Sequence, residues 1–414
     1  MSGFDFRGIL RAGDVVAWPQ GPGEPTGLSG ALVAQRHDLP PFALLVGLGA
    51  TRTVRREHAD RITLRALNGA GTNRSWTDAG DIVPVPISQM PSRLRSGALR
   101  VDVVLLRVRP AATPGYYTTG VISDFTQALT ETARVVVAEL DERLPLMGHD
   151  SLIPVEAVDH LVPAFGDNIL LPDPAPSDVD RAIARNVAAI VPDGATIQLG
   201  IGTLPTAVAA ALRDHRDLGV HSGVVSDVLV DLVERGVVTN ARKGIDTGYT
   251  VTGGLFGTQH LHAWSDSNPA IVMRACDYTH HPSTISRVHA MHAINSAIEI
   301  DLTGQANSEL AGGRYLGAVG GQLDFVRGAL AAPDGCSIMA LPSTTPDGSI
   351  SRIVASLEGR PVTTPRSDAD VVVTEHGVAH LRGCGFQERA RRLAAIAHPK
   401  FQDALRSANK QAVS

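Results

Sequence analysis

Short apolar runs rich in β-branched residues punctuate the chain: Thr196-Ile-Gln-Leu199, Ala270-Ile-Val-Met273, Ala297-Ile-Glu-Ile300, Ser337-Ile-Met-Ala340 and Val371-Val-Val-Thr374. Between them lie stretches with helical periodicity. This alternation predicts βαβ units and a mainly parallel sheet buried on both faces. Val179, Ile183, Val187 and Ile190 recur at helical spacing, and Ser177 is placed to cap that helix. The preceding segment, Leu171-Pro-Asp-Pro-Ala-Pro-Ser-Asp178, holds three prolines and reads as a linker. A boundary near residue 175 therefore divides the chain into an N-terminal domain, 1–175, and a C-terminal domain, 176–414.

A repeat spans that boundary. Asp14-Val-Val-Ala-Trp-Pro-Gln-Gly-Pro-Gly-Glu-Pro25, followed by Ala31-Leu32 and Asp38-Leu39, has its counterpart in Gly194-Ala-Thr-Ile-Gln-Leu-Gly-Ile-Gly-Thr-Leu-Pro205, followed by Ala211-Leu212 and Asp217-Leu218. Each copy reads strand, glycine loop, proline, helix. A weaker echo links Ala98-Leu-Arg-Val-Asp-Val-Val-Leu-Leu106 with Ser367-Asp-Ala-Asp-Val-Val-Val-Thr374, both apolar strands entering glycine-containing loops. Two such domains side by side leave a cleft at the carboxyl ends of their strands, where ligands commonly sit.

The 414 residues exceed what one core usually organises, in agreement with two domains. With 37 basic against 42 acidic residues and 4% aromatics, the chain lacks the basic excess and stacking surface of a nucleic-acid partner. No apolar run approaches the roughly 20 residues of a membrane span, and the N terminus carries no secretory apolar region. Cys276, Cys336 and Cys384 show neither C-x-x-C spacing nor an even count, so they are expected to be ordinary thiols in a cytoplasmic protein.

Gly200-Ile-Gly-Thr-Leu-Pro205 follows a strand and opens a helix expected over Thr206 to His215. Such a loop offers backbone N–H groups and a helix N terminus to an anion, but it lacks the third glycine and the downstream acid of the dinucleotide fingerprint. Gly317-Ala-Val-Gly-Gly-Gln-Leu-Asp-Phe325 is either a flexible loop or a surface shaped to an extended ligand. His260, His262, His280, His281, His289 and His292 show no metalloprotease helix or ligand spacing, so no metal is expected and they read as surface or hydrogen-bonded residues. No G-x-S-x-G elbow is present. Glu24, Asp227, Glu299 and Glu375 are carboxylates in motif-like strings, each able to act as base or nucleophile if desolvated and each otherwise a cap or ion-pair partner.

Together these strings resemble the acetyl-CoA hydrolase/transferase family, which includes 4-hydroxybutyrate CoA-transferases. The likeness runs through Gly23-Glu-Pro-Thr-Gly-Leu28, Gly115-Tyr-Tyr-Thr-Thr-Gly120, Leu199-Gly-Ile-Gly-Thr-Leu-Pro205, Ile294-Asn-Ser-Ala-Ile-Glu-Ile-Asp-Leu-Thr-Gly-Gln305, Val319-Gly-Gly-Gln-Leu-Asp-Phe325, Ser351-Arg-Ile353, Val373-Thr-Glu-His-Gly-Val-Ala379 and Ile396-Ala-His-Pro399. The resemblance implies two similar α/β domains of the CoA-transferase (NagB/RpiA-like) type with mainly parallel sheets, in keeping with the repeat, and a homodimer. It implies an acyl-CoA and a small carboxylate as substrates, with Gly200, Ile201, Gly202, Thr203 and Leu204 lining the coenzyme A site on one side and Gly317 and Gly321 on the other.

In that family a glutamate attacks the thioester and passes through an acyl-glutamyl anhydride to a glutamyl-CoA thioester. The resemblance places this residue in a His-Ser-Glu-x-x-Ser-Asp string, which here reads His221-Ser-Gly-Val-Val-Ser-Asp227. Gly223 thus stands at the nucleophile position. Ala318 is a second departure, at a position where the family usually has glycine. The expectation is an acyl-CoA hydrolase or related enzyme in which Asp227 or Glu24 positions a water. The alternatives are an ordinary transferase using Glu299, a silent CoA-binding subunit, and a sugar-phosphate isomerase on a related fold.

Overall fold

The computed structural model describes residues 3–412. The first half builds a nine-stranded sheet from β1 (Val15–Ala17), β2 (Phe42–Val46), β3 (Ile62–Ala66), β4 (Asp81–Ile82), β5 (Val103–Pro110), β6 (Tyr116–Thr118), β7 (Val135–Leu140), β8 (Leu152–Pro154) and β9 (His160–Pro163). Helices α1 (Thr26–Ala34), α2 (Met90–Arg95) and α3 (Thr126–Thr132) belong to this half. The second half carries an eight-stranded sheet containing β10 (Thr196–Gln198), β11 (Gly219–Ser222), β12 (Thr250–Thr252), β13 (Ile271–Met273) and β14 (Met291–Asn295). Small accessory sheets follow, made of β15 (Glu299–Asp301), β16 (Ala306–Asn307), β17 (Leu310–Ala311) and β18 (Arg314–Tyr315). The main sheet resumes with β19 (Cys336–Ala340), while β20 (Ile353–Val354) pairs with β15, and β21 (Val371–Thr374) and β22 (Gly377–His380) close the edge. Its helices are α4 (Asp178–Ala188), α5 (Thr203–Ala211), α6 (Asp227–Glu234), α7 (Gln259–Ser265), α8 (Cys276–Thr279), α9 (Pro282–Ile285), α10 (Gln322–Ala331), α11 (Phe386–Ala395) and α12 (Pro399–Ala412).

The two sheets match strand for strand. The parallel order of the first is β4-β3-β2-β1-β5-β7-β9 and of the second β13-β12-β11-β10-β14-β19-β21. β1 and β10 occupy the same place, so the repeat read from their glycine loops extends to the whole sheet. The weaker echo does not hold. β5 corresponds to β14, whereas β21 corresponds to β9. Both segments are buried apolar strands, and that grammar alone produced the likeness.

Burial explains the strand sequences. Every residue of β2, β10, β12, β13 and β21 is buried, as a sheet covered on both faces requires. The run at Ala297–Ile300 forms a strand only from Glu299, in an accessory sheet. α4 begins where its cap predicts: the Ser177 hydroxyl accepts from the Asp180 N–H at 3.1 Å, and the Asp180 carboxylate accepts from the Ser177 N–H at 2.9 Å. Ile183, Ala184 and Val187 then face the core. α5 starts at Thr203, three residues before the expected position, with Pro205 inside the first turn, where its missing N–H costs nothing.

The carboxyl ends of the two sheets face each other. Backbone bonds cross the seam from Ser123 N to Gly253 O at 2.9 Å, from Leu255 N to Val121 O at 2.8 Å, from Gly69 N to Gly317 O at 2.8 Å and from Ile87 N to Gly320 O at 3.1 Å. Val121, Ile122 and Leu144 of the first half share one core with Leu255 and Phe256 of the second. No helix of the described residues is long and apolar enough to cross a membrane.

Candidate active site

The second sheet reverses its winding between β10 and β14: β11 lies on one side of β10 and β14 on the other. A crevice opens beyond such a point at the strand carboxyl ends. Here it is a cleft of about 340 Å³ lined by residues 200–205, Val208, Ile294, Asn295, Ser296 and Ala340. Gln198 and Asn295, at the ends of β10 and β14, hold the floor with paired amides, Asn295 Nδ2 donating to Gln198 Oε1 at 3.0 Å. A second groove of about 440 Å³ runs between the halves, with Leu48, Gly49, Gly71 and Arg74 facing Asp173, Ile201, Gly202 and Phe256.

Of the residues expected to line a ligand, Gly200 through Leu204 form the cleft wall. Gly202 has φ +118°, a conformation that requires glycine, and a Cβ there would meet nothing within 4 Å. Ile201 is 43% exposed in the open loop. The N terminus of α5 emerges at this loop and favours an anionic group. Ser222, the last residue of β11, donates from its hydroxyl to the Leu199 carbonyl at 2.8 Å and ties the next loop to the same wall.

That next residue is Gly223. A Cβ added to it would lie 2.4 Å from His280 Nε2 and 2.5 Å from His280 Cε1. A Cβ on Gly321 would lie 2.3 Å from His280 Cδ2 and 2.7 Å from Nε2. The structure thus brings Gly223 and Gly321 together around a single imidazole, which fills the space that a side chain at either position would need. α10 begins immediately after Gly321, so its N-terminal end opens beside the ring. Gly317 sits differently: a Cβ there would collide with the Ser308 carbonyl at 1.8 Å, so close backbone packing demands glycine.

The imidazole is firmly held. His280 links α8 to α9, with its N–H bonded to the Cys276 carbonyl at 3.0 Å. Its ring meets Phe325 of α10 edge-on at 5.0 Å, and Nδ1 lies 2.8 Å from Thr279 Oγ1. Although part of the residue reaches solvent, the ring is enclosed, and burial followed by the neighbouring His221 lowers its pKa to about 3. His221 is itself fully buried, bonded through Nε2 to the Thr279 carbonyl at 3.0 Å. Burial first, then the charges of Lys243 and Arg274, bring its pKa to about 3.

The carboxylates are occupied. Asp227, expected to position a water, instead caps α7: Oδ1 accepts from Leu261 N at 3.0 Å and from Thr258 Oγ1 at 3.1 Å, and Oδ2 from Thr258 N at 3.0 Å. Glu24 accepts from Ser29 Oγ at 2.8 Å and Thr51 Oγ1 at 2.7 Å, buried at the start of α1. Glu299 accepts from Asn307 Nδ2 at 2.7 Å and pairs with Arg360 at 2.6 Å. Glu375 receives the Ser343 N–H and hydroxyl at 2.9 and 2.5 Å. Each has a structural partner of the kind that carboxylates in such strings commonly find. Among the histidines, His292 bonds the Ala290 carbonyl at 2.8 Å from within β14. His280 was legible only as a member of that group, because nothing in its neighbouring sequence points to two glycines distant in the chain.

The chain matches the acetyl-CoA hydrolase/transferase N-terminal domain over residues 4–167 and the C-terminal domain of the same family over residues 257–409. It is 38% identical over 388 residues to 4-hydroxybutyrate coenzyme A transferase of Clostridium kluyveri, covering 92% of this chain and 90% of the relative. It is 33% identical over 217 residues to an acetyl-CoA hydrolase of Kluyveromyces lactis, covering 50% of this chain and 39% of the relative. Among solved structures, RipA from Yersinia pestis superposes with a TM-score of 0.91 at 34% identity, covering 98% of this chain and 95% of that one. A 4-hydroxybutyrate CoA-transferase from Porphyromonas gingivalis gives 0.83 at 32% identity, covering 97% and 95%.

Proposed function

The chain belongs to the acetyl-CoA hydrolase/transferase family, and from that premise we propose that it cleaves a short-chain or small-acid acyl-CoA thioester with water as the acyl acceptor. The observation that carries this reading is the imidazole seated against Gly223, which leaves no room for a carboxylate side chain there. Without a covalent acceptor on the protein, the acyl group has no glutamyl intermediate to pass through. Water is the remaining acyl acceptor.

The geometry supports the following roles. The 200–204 loop and the α5 N terminus hold the coenzyme A portion along the cleft. The paired amides of Gln198 and Asn295 keep the two strand ends at fixed spacing beneath the thioester. The N terminus of α10, beside the reacting centre, faces the oxygen that gains negative charge as water adds. The net reaction consumes one water, forms a carbon–oxygen bond, breaks the carbon–sulfur bond and yields a carboxylic acid and the coenzyme A thiol.

The test is thiol release from acetyl-, propionyl-, butyryl- and succinyl-CoA, with and without added acetate. The expected result is release from at least one thioester at a rate that acetate does not change. Movement of coenzyme A onto acetate, together with a borohydride-sensitive glutamyl thioester on the protein, would instead mark an ordinary transferase. No release from any of them would leave a silent CoA-binding protein.

A further inference from the structure

We propose that His280 is the general base of this site, its Nε2 taking a proton from the water that attacks the thioester carbonyl. This rests on the hydrolase reading above and deepens it.

Three observations carry it. Nε2 lies between Gly223 and Gly321, 2.4 Å and 2.7 Å from where their side chains would begin, and neither residue carries one. The other nitrogen is committed: Nδ1 lies against Thr279 Oγ1 at 2.8 Å, and that hydroxyl reaches the Ala275 carbonyl at 3.3 Å. With the hydroxyl proton on the carbonyl, the oxygen accepts Nδ1–H, which assigns the tautomer and leaves the Nε2 lone pair bare. Among the described residues Nε2 has no hydrogen-bond partner. Finally, the ring is held by an edge-on contact with Phe325 and by backbone bonds on both sides, with His221 bonded to the Thr279 carbonyl.

Position decides between direct attack and base catalysis. Nε2 lies 2.4 Å from where the first carbon of a side chain at 223 would be, whereas a glutamate there would carry its carboxylate beyond that carbon. The imidazole is therefore proposed to act through a water, whose proton it takes across about 2.6–3.2 Å, rather than by direct attack. Nε2 receives that proton as the water oxygen bonds to the carbonyl carbon, and the imidazolium returns it to the departing sulfur. The imidazole ends neutral. Burial keeps the ring uncharged at neutral pH and makes its protonated form a strong acid, which suits the second transfer better than the first.

The experiment compares wild type with H280Q, G223E and the double variant G223E/H280A, measuring thiol release, KM and acetate-dependent transfer. H280Q is expected to lower kcat about 10²-fold with KM unchanged, the lower end of the general-base range because so weak a base offers little driving force. Free imidazole is expected to restore part of the activity to H280A. Acetate-dependent transfer is expected in G223E/H280A and absent in G223E, where the ring still blocks the carboxylate. H280Q with wild-type kcat would overturn the role of His280 and leave the hydrolase reading standing. Wild-type protein that releases thiol only with acetate would overturn the hydrolase reading and the base together. Transfer by G223E alone would overturn the packing on which the assignment stands.

Discussion

At the scale of single residues, the site is built from groups held in states they would not choose in water. His221 and His280 both have pKa values lowered to about 3 from 6.5, chiefly by burial. Unfolding returns each to its ordinary basicity, so between pH 6.5 and about 3 the unfolded chain binds protons that the folded one refuses. The stability these histidines permit is thus present above pH 6.5 and is lost as the pH falls below it, at about 1.4 kcal/mol per pH unit for each. H280Q removes one such proton. Denaturant unfolding between pH 6 and 4 is expected to give a pH slope shallower by about 1.4 kcal/mol per unit in the variant. An unchanged slope would mean that the ring is already protonated in the folded protein.

Among elements, the first sheet is braced by a buried ion pair and its hydrogen bonds. Arg107 on β5 bonds Glu139 on β7 at 3.0 Å, Thr26 Oγ1 of α1 at 3.0 Å, and the Asp167 carbonyl and Asn168 side chain at 2.7 Å each. Burial raises the pKa of Glu139 despite Arg107 beside it. Arg107→Ala leaves that carboxylate buried and unpaired and is expected to cost about 3–5 kcal/mol in chemical denaturation, with R107A/E139Q recovering part of the loss. A cost below about 1 kcal/mol would show that the network is exchangeable with water. At this scale the sequence was informative: the strand runs at Thr196, Ile271 and Val371 and the Ser177 cap are local signals, and local signals survive folding. What it could not supply was the meeting of residues 223, 280 and 321, because that contact is set by strand order and by the junction of two short helices. The capping role of Asp227 was hidden for the complementary reason, since a carboxylate opening one helix can cap another that lies 31 residues away.

For the molecule as a whole, two matching sheets meet with their carboxyl ends opposed, and the winding reversal in the second half opens on the cleft walled by residues 200–205. The first half contributes the opposing wall at Gly49, Gly71 and Arg74, and backbone bonds at Gly69 and Ile87 hold it against the 317–321 loop. The chemistry proposed for this cleft differs from covalent transfer in the origin of one oxygen atom. A single turnover of acetyl-CoA in ¹⁸O-water, with product acid and protein both analysed by mass spectrometry, reads that origin directly. The account predicts ¹⁸O in the acid from the first turnover and none in the protein. Unlabelled acid accompanied by ¹⁸O in a glutamate of the chain would contradict it.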